Sequence, residues 1–129
     1  MDPAIATYRE ALKNNPANTD AKLGLSDALA AKGIEVAGDS NNIAAAVPLE
    51  EAVTLDPRND VAYAKLGELY DSRNDTSKAR SNYEKALQIN PELTTLYVPV
   101  GVTYLNGGEI AKAEYTLANA EKRLSLIHI

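Results

Sequence analysis

Residues 63–91 read YAKLGELYDSRNDTSKARSNYEKALQINP. The stretch holds two apolar patterns of helical spacing, broken by Asn74-Asp75 and closed by Pro91. It also repeats. A shift of 34 residues lays Tyr63 on Tyr97, Leu66 on Val100, Gly67 on Gly101 and Tyr70 on Tyr104. The same shift lays Ala79 on Ala113, Tyr83 on Leu117 and Ala86 on Ala120, and it carries Pro57 onto Pro91. Agreement at so many fixed offsets is the mark of a repeat architecture. The phrase ALQINP at 86–91 has counterparts in AVTLDP at 52–57 and ALKNNP at 11–16.

The pattern Tyr63-x-x-Leu66-Gly67-x-x-Tyr70, with Ala79, Tyr83 and Pro91, resembles the tetratricopeptide repeat, Tyr standing for the usual Trp and Phe. The resemblance extends over roughly residues 3–123. Upstream, Leu25, Ala28, Leu29 and Gly33 fit a first helix, and Ala45, Leu49, Ala52 and Pro57 a second. Ala4, Tyr8, Ala11 and Pro16 fit a lone second helix. Pro16 to Pro57 spans 41 residues, seven more than the period. The expected units are therefore 1–18 (a half unit), 19–59 with an insertion at 34–40, 60–93 and 94–123. The insertion is either a loop or extra helical turns. The implied fold is all-α, a right-handed solenoid of antiparallel helix pairs.

Within each pair, the large residues fill the space between helices, and Gly67 and Ala79 allow close approach. Asn74 and Gly107-Gly108 suit the left-handed conformation that ends a helix, and Asp75 can cap the next one. The closing Pro bars helical geometry in the residue before it. Pro48 and Pro99 fall inside expected helices. Pro48 predicts either a kink or a helix that effectively begins at Val47–Pro48.

Composition excludes several functions. The chain has 129 residues, a net charge of −5 and no Cys. Disulfides and thiolate chemistry are ruled out, and the acidic balance opposes a nucleic-acid backbone as partner. No apolar run is long enough to span a membrane. No signal peptide opens the chain, which favours a cytoplasmic setting over a secreted one. The one His, His128, lies in the terminal LSLIHI, residues 124–129. That tail departs from the repeat and matches the translated read-through of a sequencing adapter, so no catalytic or metal site is built on it. Glu50-Glu51 point in different directions on a helix and form a solvated face. Asp71–Asp75 lacks the Gly and Glu of a calcium loop. No cofactor, metal or catalytic site is expected, and the chain is expected not to be an enzyme.

The resemblance implies that the first helix of each unit lines a concave face that receives a peptide or partner domain. Its candidate contact residues are Asp27, Lys65, Glu68, Asp71, Val98 and Val102. One subclass grips the carboxylate of chaperone tails with Lys, Asn and Arg; here those positions hold Leu23, Asp27, Lys65, Thr95 and Pro99, so that clamp is absent. The expected function is a protein-interaction scaffold. The alternatives are a substrate-recruiting repeat segment of a larger glycosyltransferase, methyltransferase or peptidase, and a passive spacer. Starting in mid-unit and lacking a polar capping helix, the chain is expected to be marginally stable alone, with frayed ends.

Overall fold

A computed structural model describes residues 2–127. Its seven α-helices are α1 (Pro3–Asn14), α2 (Thr19–Ala37), α3 (Ala46–Leu55), α4 (Asp60–Ser72), α5 (Thr76–Ile89), α6 (Tyr97–Asn106) and α7 (Ile110–Ile127). The described residues contain no strand. The chain is an all-α, right-handed solenoid, in which α2 pairs with α3, α4 with α5 and α6 with α7. α1 packs against α2 as a lone second helix.

The recurring Pro phrase has one geometry. The amides of Asn15, Asp56 and Asn90 donate to the carbonyls of Ala11, Ala52 and Ala86, closing α1, α3 and α5. Each of these three residues is extended, with φ of −145°, −134° and −135°. Each precedes a Pro, whose ring disfavours the helical region at that position. Three residues on, Asn18 and Asn59 cap α2 and α4 by accepting from the amides of Ala21 and Ala62. Asp75 caps α5 by accepting from Lys78, after Asn74 has turned the chain at φ 61°.

α3 and α6 start differently. Neither has a side-chain cap, and each grows out of a 3₁₀ turn, at Ile43–Ala45 and Thr94–Leu96. Pro48 and Pro99 are then the third residues of their helices. An amide there has no intrahelical acceptor, so its loss costs no hydrogen bond. α3 thus begins at Ala46, close to the Val47–Pro48 start that the sequence offers as one of two outcomes.

The extra length of the first full unit is helical. α2 has 19 residues against 13 in α4. Ile34–Ala37 form its last turn and Gly38–Ser40 a 3₁₀ turn. A Cβ on Gly33 would strike Leu49, one on Gly67 would strike Tyr83, and one on Gly101 would press on Leu117. Each of these pairs is sixteen residues apart, so the 34-residue register runs unbroken from Gly33 onward. The added residues therefore sit earlier in α2, before Gly33 and not at 34–40. Seven residues are close to two turns, which keeps the buried face of the helix aligned.

One core runs through α2, α3 and α4 around Leu25, Leu29, Leu49, Leu66 and Leu69. A second joins α5 and α6 around Ala79, Tyr83 and Val100. Between α2, α3 and α4 lies a buried polar bridge. Ser26 Oγ donates to the Ala52 carbonyl at 2.6 Å and accepts from Asn59 Nδ2 at 2.9 Å. At the other end Leu124–Ile127 continue α7; His128 and Ile129 lie outside the described residues.

Candidate protein-interaction groove

Side chains from α2, α4, α5 and α6 meet around one cavity. The cavity, of about 540 Å³, is lined by Ile34, Val61, Ala64, Lys65, Glu68 and Tyr83, together with Leu93, Thr95, Leu96 and Pro99. On α4, Val61, Ala64, Lys65 and Glu68 recur at helical spacing and so share that face. On α2, Asp27 lies two turns before Ile34 and shares its stripe.

Lys65 and Glu68 are thus brought together in the lining. They pair at 3.2 Å. Lys65 also donates to Asn41 Oδ1 at 3.1 Å, and its side chain is only 14% exposed. Asp71 sits one turn further along α4, where the Tyr83 hydroxyl donates to it at 3.4 Å. Burial and the nearby Asp71 carboxylate hold the Tyr83 phenol well above its usual range. Asp27, Val98 and Val102 are exposed and stand outside the cavity lining. Ile34, Leu93, Leu96 and Tyr83 were not among the sequence candidates. Ile34 is legible from its spacing to Leu23 and Asp27. Leu93 and Leu96 are not, because they come from a turn.

Residues 61–93 match the family model Tetratricopeptide repeat. The crystal structure of MamA superposes on 96% of this chain and 88% of its own, with a TM-score of 0.72 at 24% identity. A second MamA crystal structure, 25% identical, covers 93% of this chain and 80% of its own, with a TM-score of 0.60. The chain thus contains one matched tetratricopeptide repeat and shares its fold with MamA. BBSome complex member BBS4 from Bos taurus is 37% identical over 62 residues. That match takes in 48% of this chain and 12% of the relative's length.

In this helical array the units are joined by a repeated cluster outside that cavity. The Tyr70 hydroxyl donates to Glu50 at 3.1 Å, with the Lys78 ammonium 5.2 Å from its ring centre. The next copy, 34 residues on, is Tyr104 donating to Glu84, with Lys112 over its ring. Arg80 adds a second cation over Tyr104 and donates to the Thr103 carbonyl at 3.1 Å. Burial and the Glu84 hydrogen bond push the Tyr104 phenol up to about 12. Beside this cluster a second cleft of about 630 Å³ opens between α5 and α7, lined by Leu87, Tyr97, Val100, Tyr104 and Tyr115. Among the described residues no three His, Cys, Asp or Glu side chains gather as a metal site. No described helix is long and apolar enough to cross a membrane.

Proposed function

We propose that this array is a non-enzymatic scaffold that holds a peptide or partner segment along its concave face. One observation carries the reading. The cavity is built from the first helices, Tyr83 of α5 and the turn between units, and it presents mainly apolar side chains around a single Lys65–Glu68 pair. A concave, mainly apolar surface with few oriented polar groups is what a peptide-binding groove requires. The partial likeness to BBS4, a BBSome complex member, supports a scaffold role.

The test is a peptide library displayed on phage and selected against the chain. Peptides that bind in the groove lose binding to Ala64→Phe, which plugs the cavity, and keep it with Tyr115→Ala, at the α5–α7 cleft. Binding that survives Ala64→Phe and fails on Tyr115→Ala would move the site to that cleft.

A further inference from the structure

Six aliphatic side chains stand exposed along the first helices: Leu23 and Ile34 on α2, Val61 on α4, and Val98, Val102 and Leu105 on α6. Each falls on or beside the groove stripe of its helix. An apolar row this long on an otherwise acidic chain marks a surface that is covered in use.

The charges on this face are uneven. Asp27, Glu68 and Asp71 are exposed carboxylates. The cation among them, Lys65, is largely buried and already engaged by Asn41 and Glu68. Among the described residues neither Asp27 nor Asp71 forms an ion pair. The face therefore carries an excess of negative charge over apolar ground. An acidic guest would meet repulsion at these carboxylates, and a neutral one would leave the imbalance uncompensated.

Resting on the groove reading, we infer that the occupant is a basic amphipathic segment, with aliphatic residues along one side and Lys or Arg beside them. The aliphatic side chains meet the Leu23–Leu105 row and fill the cavity. The basic ones lie against Asp27, Glu68 and Asp71. Because these carboxylates face solvent, they act mainly on encounter rate and choice of partner, and salt screens them.

The experiment uses a random peptide library on phage, selected at low salt, with the winning peptides then synthesised. Peptides are sorted by their loss of binding to Ala64→Phe or to Val61→Phe, two variants that fill the cavity without changing charge. Circular dichroism checks that each variant stays helical, and the exposed Val61 site serves if Ala64→Phe unfolds. The groove-dependent peptides are expected to carry net positive charge. They should bind the double variant Glu68→Lys, Asp71→Lys about tenfold more weakly, with the loss shrinking as salt rises. A groove-dependent set that is neutral or acidic overturns the charge assignment and leaves the groove standing. A selection that returns no groove-dependent peptide overturns both.

Discussion

The ring of Tyr83 occupies the space that a side chain at position 67 would need. A Cβ built on Gly67 would lie 2.5 Å from Cδ1 of that ring. Tyr83 is buried and its hydroxyl is tied to Asp71, so moving the ring aside is costly. Gly67 is therefore the residue that lets α4 and α5 close on each other.

Gly67→Ala is expected to destabilise the fold, although alanine is the better helix former. The helix gains about 1 kcal/mol, while forcing a methyl into a packed aromatic costs about 1–3 kcal/mol. Gly101→Ala should go the other way. There the neighbour is Leu117 at 3.1 Å, a side chain 40% exposed and able to swing aside. Helix propensity then decides, for a gain of about 0.5–1 kcal/mol. Urea melts of both variants check the pair of signs.

Asn59 joins three helices, and its removal should be costly. Its Oδ1 caps α4, and its Nδ2 donates to the buried Ser26 hydroxyl. Asn59→Ala forfeits a cap worth about 1 kcal/mol and a buried hydrogen bond of similar size. A loss of about 2 kcal/mol is expected in denaturant titration. Asn59→Asp keeps the cap and should lose less. Equal losses in the two variants would show that the cap contributes nothing, and an unchanged stability in Asn59→Asp would show that the bridge to Ser26 contributes nothing.

Alkali should loosen the array through its tyrosines. The Tyr104 phenol is raised to about 12 by burial and by Glu84, and Tyr63, Tyr70 and Tyr83 are raised as well, chiefly by burial. Above the ordinary phenol value of about 10 the unfolded chain loses these protons first. Stability is thus whole below about pH 10 and falls as pH rises toward 12. Tyr104→Phe should flatten part of that fall in melts scanned across the window. On the acid side the hydrogen bond from Arg9 lowers the Glu51 pKa. That pair's stability is present above the usual carboxylate range and is lost as pH falls through the lowered value. Its solvent exposure limits it to under about 1 kcal/mol.

Replacing Lys65 and Glu68 together by Ala should weaken groove-dependent peptides and leave helicity intact. Lys65→Ala alone also cuts the link to Asn41, a residue at φ 51° in the α2–α3 turn. Hydrogen exchange should therefore quicken around residues 38–42 in that variant. Unchanged peptide affinity in the double variant would remove both residues from the site.

The sequence by itself determined the repeat. Its period, its helix pairs, the Asn and Asp caps and the closing prolines are local or strictly periodic signals, so the chain shows them without any tertiary contact. Gly67, Ala79 and Tyr83 were legible as packing positions for the same reason. Tertiary structure alone decided where the seven added residues lie. Both ends of α2 match the repeat, and only the Gly33–Leu49 contact shows that the register resumes by Gly33. The groove divides likewise. Lys65 and Glu68 follow from helix periodicity, but Leu93 and Leu96 reach the cavity from a turn whose path depends on packing between units. The engagement of Lys65 by Asn41, which leaves the carboxylates in excess, joins residues 24 positions apart. No local pattern encodes a contact of that range; the folded chain creates it.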